Sequence, residues 1–459
     1  MKKARSVVAF LMAAAMLATT ACSQSGGGAS SQGSSAAGDS SAASEASQGS
    51  GEKQDIVFWD MAWGTDVYVQ RMQSDLEAMK EELPEVGNVE YVSLTWDNFL
   101  QVHLTAINSG TAPDIFTAGF GTGEVFARMG AVHYLDKIDA DEELKAKYDE
   151  DTWNSRRYNG EMVQLPWMRG ITFLFYRTDM FEQVGYAESP KTWDEFMDAL
   201  RKVKAEYDIN PLIFDLAGNQ SNHLVLISLL NNGVGCCKYD SEGNVVPAMS
   251  DPENKRMLQY MVDMYQEGLV SQSLSTYKRS DLSKIYLDGQ AAVFIGDLAL
   301  DVAGTELEDK TGVLDVLTGP DTNEKRANTF YNGLGVFAQS ECPELCEDVI
   351  TYIANHSEQY FVEGMWEAWP ADIETTQKAI DQSPNSFYQK GAKNIEFCTP
   401  ATYPIKEVYD GWGVIDGEAL LGKVAQMAMT GASSDVDEIA AYGDQLIQDA
   451  IDSQKAENQ

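Results

Sequence analysis

Apolar runs and amphipathic stretches alternate along the chain from about residue 53 onward. An apolar run at 55–59 predicts a buried strand, after which Met72, Leu76 and Met79 recur at helical spacing. The same pattern predicts further strands at 88–94, 114–117, 171–176 and 333–338, and one that ends at 295. It also predicts further helices at 98–109, after Thr192, near Pro343 and over 420–459. Strands that alternate with helices predict an α/β fold with a mostly parallel sheet and helices on both faces.

Large aromatic residues follow the first three predicted strands. Trp63 lies after the first strand, Trp96 after the second and Phe120 after the third. Ligands of such sheets sit at the carboxyl ends of the strands. We therefore expect these three side chains to face a ligand site.

The first 51 residues have the pattern of an export signal followed by a tether. A basic start precedes a small-residue apolar stretch that ends at Cys22, which resembles a lipoprotein signal peptide. An ordinary secretory signal with a chance cysteine is the alternative. The following residues are almost all Ser, Gly, Ala and Gln, a composition typical of a flexible tether. We therefore predict a signal peptide at 1–21, an acylated Cys22 with a tether over 22–51, and a protein held on the outer side of the cell membrane by its lipid alone.

Charge and length narrow the class of protein. The chain has 459 residues with 71 Asp and Glu against 33 Lys and Arg, a net charge of −38. Such a charge disfavours nucleic acid and anionic lipid as partners, and the length allows two or three domains. A small-molecule partner is therefore expected.

Motifs of catalysis and metal binding are incomplete in the sequence. Residues 417–424 match a phosphate-binding loop except at Val424, and no strand is predicted before them; no G-x-S-x-G occurs. The four histidines are scattered, and the five cysteines after Cys22 cannot all pair with one another. We therefore expect no enzyme activity, no cofactor and no metal site.

A series of short motifs runs along the folded part in a fixed order. They are Ile56-Val-Phe-Trp59, Gly110-Thr-Ala-Pro-Asp-Ile115, Gly130-Ala-Val-His-Tyr-Leu135, Gln164-Leu-Pro166, Pro190-Lys-Thr-Trp-Asp-Glu195, Asp288-Gly-Gln-Ala-Ala-Val293 and Tyr331-Asn-Gly-Leu-Gly335. This series resembles the extracellular solute-binding proteins of family 1, which include the maltodextrin-binding proteins of ABC importers. One departure is Tyr176-Arg177, where the family usually has Tyr-Asn.

The resemblance implies two α/β lobes joined by a hinge, with a central cleft that closes over a solute. It also implies a monomer that delivers its solute to the permease subunits of an ABC transporter. By this analogy the chain crosses between the lobes near 166–170, 328–331 and 368–373, lobe one comprises 52–167 and 330–370, and lobe two comprises 168–329 and 371–459.

Several residues on the implied cleft have the chemistry that a sugar requires. Sugars present apolar faces and rims of hydroxyls, which aromatic rings, amides, carboxylates and guanidinium groups recognise. Besides the three aromatic residues above, the candidates are Arg169, Asp215, Asn219, Asp297, Tyr331, Trp366 and Trp412. The resulting hypothesis is capture of a mono- or oligosaccharide.

Two alternatives stay open at this point. The importer role is compatible with another solute, namely a polyamine, a phosphate ester, an amino acid or a peptide. A surface enzyme or adhesin of another class is the other alternative, and turnover of a bound glycan would favour it.

Overall fold

Two large β-sheets, with two two-stranded ones beside them, organise this computed structural model, which describes residues 53–63, 66–95, 99–119, 121–218, 220–296, 299–362, 368–405 and 408–457. The predicted signal peptide, Cys22 and the tether lie outside the described residues, as do Trp96, Phe120, Asn219, Asp297 and Trp366.

The strands are β1 (Gln54–Met61), β2 (Val86–Leu94), β3 (Ile115–Ala118), β4 (Val132–His133), β5 (Arg157–Tyr158), β6 (Glu161–Met162), β7 (Leu165–Ile171), β8 (Leu174–Arg177), β9 (Leu212–Ile213), β10 (Cys237–Tyr239), β11 (Val245–Pro247), β12 (Val293–Ile295), β13 (Thr311–Val313), β14 (Ala327–Phe337), β15 (Trp369–Pro370) and β16 (Cys398–Pro400). Four strands, β1, β2, β7 and β14, have seven or more residues, and the others have at most four.

Helices connect most of these strands. They are α1 (Asp66–Ala78), α2 (Phe99–Ser109), α3 (Thr122–Arg128), α4 (Asp136–Asp139), α5 (Glu142–Lys145), α6 (Glu150–Trp153), α7 (Thr178–Gln183), α8 (Trp193–Tyr207), α9 (Gln220–Asn231), α10 (Pro252–Gln266), α11 (Arg279–Leu287), α12 (Ala299–Val302), α13 (Pro343–Asn355), α14 (Glu358–Phe361), α15 (Ile373–Gln382), α16 (Ser386–Gly391), α17 (Trp412–Gly417), α18 (Leu420–Met429) and α19 (Val436–Glu457).

The first sheet has the strand order β15-β7-β14-β3-β1-β2, with β4 and β16 also paired to β14. The pairs of β1 with β2 and β3 are parallel, whereas β14 is antiparallel to β3, β4 and β7. The second sheet has the order β13-β8-β12-β9, in which only β9 and β12 are parallel. The α/β class is confirmed, but the prediction of a mostly parallel sheet is wrong, because β14 and β8 enter their sheets in the reverse direction.

The predicted strand at 171–176 is also wrong. The structure ends β7 at Ile171 and starts β8 at Leu174, so the apolar run spans a passage from the first sheet to the second. Thr172 marks this passage, since its backbone N–H donates to the carbonyl of Asn328 at 3.1 Å and its hydroxyl accepts from Asn328 Nδ2 at 3.1 Å. The residues on both sides of Thr172 are apolar, so the sequence does not indicate the break between β7 and β8.

The helix predicted after Thr192 is confirmed as α8. The Thr192 hydroxyl caps it by accepting from the Glu195 N–H at 3.2 Å, and Trp193, Phe196 and Leu200 are buried on one face. The helix predicted over 420–459 is interrupted between α18 and α19, where Gly431 takes a φ of +75°. A positive φ suits glycine and ends a helix.

The second sheet carries the largest hydrophobic cluster, in which Phe175 and Phe294 stack at 4.7 Å between ring centroids. The first sheet carries two others, around Phe58 and around Phe116. Among the described residues, no helix is both long and apolar enough to cross a membrane.

Candidate functional site

The carboxyl ends of β1, β2 and β3 lie side by side, as the sequence predicted for the loops that carry Trp63, Trp96 and Phe120. The Ala62 N–H after β1 donates to the carbonyl of Leu94 at the end of β2, at 2.8 Å. The Met61 N–H donates to the Thr117 hydroxyl on β3, also at 2.8 Å. Of the three aromatic residues, Trp63 is the one that the structure describes.

Trp63 is held in place by a buried carboxylate. Its Nε1 donates to Asp60 Oδ1 at 2.9 Å and to the Thr117 hydroxyl at 3.0 Å. Asp60 also accepts from the hydroxyls of Tyr68 and Tyr91, both at 2.7 Å. Burial raises the pKa of Asp60, and these hydrogen bonds oppose the rise. Only 9% of the surface of Trp63 is exposed. The hydrogen bonds to Asp60 and Thr117 fix its indole ring at this edge of the sheet.

The second sheet presents a similar edge where β9 and β12 run parallel. Asp215 lies two residues after the end of β9. Asp215 Oδ1 accepts from the Gly218 N–H at 2.8 Å, and its own N–H donates to Gln220 Oε1 at 3.1 Å. Gly296 approaches the same glutamine, since a β-carbon there would lie 2.6 Å from Gln220 Nε2. Asp215 therefore shapes the turn that begins α9.

The three segments predicted as crossings are neighbouring strands of the first sheet. Arg169 on β7 pairs with Tyr331 on β14 and, on its other side, with Trp369 on β15. Arg169 is buried, and its Nε has no hydrogen-bond partner among the described residues. An orphaned buried donor costs free energy unless a further partner satisfies it. This position therefore suits a polar ligand group.

Tyr331 and Cys398 share the surroundings of Arg169. Burial raises the pKa of each, and the positive charge of Arg169 opposes both rises. The Tyr331 hydroxyl accepts a hydrogen bond from Thr152 Oγ1 at 3.3 Å. The structure thus brings two predicted site residues, Arg169 and Tyr331, into direct pairing.

The amino-terminal end of α9 faces β14 and α17. His223 stacks on Phe330 with 5.3 Å between ring centroids and 24° between the planes. Asn222 donates to Asp416 Oδ1 at 3.1 Å and accepts from the Gly422 N–H at 3.2 Å. Sequence reasoning missed these residues, because no local spacing relates α9 to α17.

A buried ion pair lies near this contact. Arg156 Nη2 is 2.9 Å from Glu124 Oε1, with 0% and 2% of their side chains exposed. Burial raises the pKa of Glu124 and lowers that of Arg156, and each partner's charge opposes the other's shift. Arg156 also acts on Asp416, whose pKa is raised to about 6 by burial against the pull of Asn222 and Arg156. The positive charge of Arg156 is therefore felt at Asp416 on α17.

Trp412 is fully buried at the start of α17. Its ring lies 5.7 Å from that of Tyr409 and packs on Gly121, where a β-carbon would lie 3.1 Å from Trp412 Cδ1. In this conformation the ring contacts the start of α3 instead of standing free in a cleft. Its contact with a solute stays a prediction.

Replacing Gly121 by Ala should destabilise the protein, by about 2–3 kcal/mol. Gly121 has a φ of +82°, which costs an L residue about 1–2 kcal/mol, and the close approach to Trp412 adds an overpacking cost. Gly130, at the other end of α3, is the matched control, because it has a φ of +68° with nothing within 4 Å of a β-carbon. Urea unfolding should give G130A a loss of only about 1 kcal/mol; equal losses in the two variants would contradict the proposed contact.

Comparison with known proteins gives a family and a fold. Residues 76–360 match the family model described as bacterial extracellular solute-binding protein. The diacetylchitobiose binding protein DasA of Streptomyces coelicolor is 25% identical over 181 residues, which cover 39% of this chain and 41% of that protein. The chain spans about half the length of the curated relatives it matches.

Solved structures resemble the chain over most of its length. A sugar transporter of Arthrobacter chlorophenolicus with bound laminaribiose has a TM-score of 0.75 and 22% identity, covering 86% of this chain and 99% of that one. An ABC transporter solute-binding protein of Thermotoga lettingae bound with α-D-tagatose has a TM-score of 0.71 and 18% identity, covering 87% and 100%. These likenesses confirm the two-lobed fold with a central cleft.

Proposed function

Since the chain belongs to the bacterial extracellular solute-binding proteins, we propose that its solute is a carbohydrate, a mono- or oligosaccharide, that it passes to an ABC transporter permease. The observation that carries the proposal is that similar proteins are described with sugars: two solved structures hold laminaribiose and tagatose, and one relative is named a diacetylchitobiose binding protein. The family is one of binding proteins, and the absence of enzyme activity is part of the proposal.

The site chemistry supports a sugar over a polyamine. Arg169 offers an unsatisfied buried donor beside the aromatic side chain of Tyr331. Hydroxyl-rich rings need both kinds of group. Arg169 repels a polyamine, because its charge is fixed.

The remaining parts of the proposal concern anchoring and domain limits. We propose that Cys22 carries the lipid anchor, that 22–51 is the tether, and that the protein acts as a monomer on the outer side of the membrane. Lobe one is proposed to comprise 52–167 with 330–370, and lobe two 168–329 with 371–459. Labelling with a radioactive fatty acid, with C22S as the control, tests the anchor directly.

Thermal unfolding against a panel of solutes tests the proposed function. The panel holds mono- and oligosaccharides, polyols, amino acids and polyamines. A solute at a hundred times its Kd should add about 2.7 kcal/mol to the stability of the native state. We expect a rise in Tm with one class of sugar; a rise only with amino acids or polyamines would contradict the carbohydrate proposal.

Two arginine variants locate the binding site within the same assay. R169Q should lose most of the sugar-dependent rise in Tm, because it removes the unsatisfied donor at the crossing strands. R201Q is the control, since Arg201 forms a largely exposed pair with Glu267 at the molecular surface. Equal sugar affinity in R169Q and R201Q would contradict a binding site at Arg169.

A further inference from the structure

Three groups that can ligate a metal meet at the end of β3 remote from the candidate site. Asp114 directly precedes β3, Cys342 caps the start of α13, and Cys346 lies one turn into that helix. One carboxylate oxygen and the two sulfur atoms all lie within 4.8 Å of one another. Cys346 is buried, and the other two are half-buried.

The Ser340 hydroxyl links these three groups. It donates to Asp114 Oδ1 at 2.6 Å and lies 3.6 Å from Cys346 Sγ and 4.0 Å from Cys342 Sγ. Asp114 Oδ2 accepts from the Val57 N–H at 2.8 Å, which fixes the orientation of the carboxylate. A ligand group oriented by such an outer contact is a recurrent feature of metal sites.

The two sulfur atoms and the Asp114 carboxylate form a ligand set that contains no basic side chain. Among the described residues, no Lys, Arg or His forms an ion pair with Asp114 within 4.0 Å. The start of a thirteen-residue helix favours thiolates at this position once a cation balances them.

We propose that Asp114, Cys342 and Cys346 bind a thiophilic divalent cation such as zinc. Two thiolates and a carboxylate suit zinc and are a poor set for calcium or magnesium, which prefer oxygen ligands. Binding forms two metal–sulfur bonds and releases the two thiol protons to solvent, with no change in oxidation state. Three protein ligands leave a fourth position, and Ser340 Oγ is the neighbouring oxygen.

The position of the proposed metal site, between two strands and a helix, indicates a structural role. Asp114 connects β1 to the end of β14 through the backbone, since its N–H donates to the carbonyl of Val57 at 2.9 Å and its carbonyl accepts from the Phe337 N–H at 2.9 Å. The metal would therefore tie β1, β3, the end of β14 and α13 together. Because Thr117 and Trp63 lie at the other end of these strands, the metal should stabilise the fold without changing solute affinity.

Metal titration of the full-length chain, kept reduced and stripped of metal by a chelator, tests the proposal. We expect one high-affinity zinc ion per chain, a zinc-dependent rise in Tm, and the ultraviolet charge-transfer absorption of cobalt–thiolate bonds when cobalt replaces zinc. C342S and C346S should each weaken zinc binding by more than about tenfold and remove about half of the cobalt absorption. D114N should weaken binding while keeping the absorption.

Cys398 provides the matched control, because it is a partly buried thiol on β16 and outside the cluster. C398S should bind zinc as the unchanged chain does. Circular dichroism without metal shows whether each variant is folded, and C342S replaces a half-buried side chain, so it keeps the test available if C346S does not fold. Zinc stoichiometry and affinity unchanged in C342S would overturn the proposal, as would a reduced chain whose Tm does not respond to zinc.

Discussion

Replacing Arg156 by Met is expected to cost about 3–5 kcal/mol of unfolding free energy. The substitution keeps an unbranched side chain but leaves the Glu124 carboxylate, which is 2% exposed, without its ion-pair partner at 2.9 Å. An uncompensated buried charge has a cost of this order. Arg128 also acts on Glu124, but it is engaged in a separate ion pair with Asp410 at 2.7 Å. Urea unfolding followed by circular dichroism measures the loss.

Two further variants show that the loss comes from the buried charge. The neighbouring Arg157 pairs with Asp139 where 20% and 32% of the side chains are exposed, so R157M should cost no more than about 1 kcal/mol. E124Q combined with R156M should recover much of the stability, because a neutral amide needs no counter-charge. A loss in R156M no larger than that in R157M would contradict this account of the pair.

Local patterns in the sequence predicted the elements that position the site. The apolar run at 55–59 lies within β1, and the carboxyl ends of β1, β2 and β3 lie at one edge of the sheet, as parallel strands require. The sequence also predicted the helix start at Thr192, because the capping hydroxyl and the Glu195 N–H that it accepts from lie three residues apart. Each of these features depends on residues that are close along the chain.

Features that depend on distant segments were not predictable. The reversed entry of β14 between β7 and β3 follows from pairing across more than a hundred residues, which periodicity does not encode. Glu124, Arg156 and Asp416 look like ordinary charges in a chain with 71 acidic residues. Their shifted pKa values arise from burial, which only the folded chain creates. The proximity of Asp114 to Cys342 and Cys346 was likewise not predictable, because more than two hundred residues separate them along the chain.

Acidification should stabilise the protein through Asp416. Its pKa is about 6 in the folded state against 3.8 as the reference value, because burial disfavours the charged form. The folded state therefore holds this proton more tightly than the unfolded state does. The stability that protonation contributes is fully present below about pH 4 and is lost as the pH rises through about 6, which amounts to at most about 3 kcal/mol.

The variant D416N isolates this contribution from those of the other acidic residues. Asn is neutral at every pH, and its amide oxygen can still accept from Asn222 Nδ2, which is 3.1 Å from Asp416 Oδ1. D416N and the unchanged chain should therefore be equally stable near pH 4, and D416N should become the more stable by up to about 3 kcal/mol at pH 7. Urea unfolding at intervals between pH 4 and pH 7 gives the difference directly. A difference that is constant over this range would show that Asp416 titrates at an ordinary pKa, and that α17 and α9 do not keep it from water.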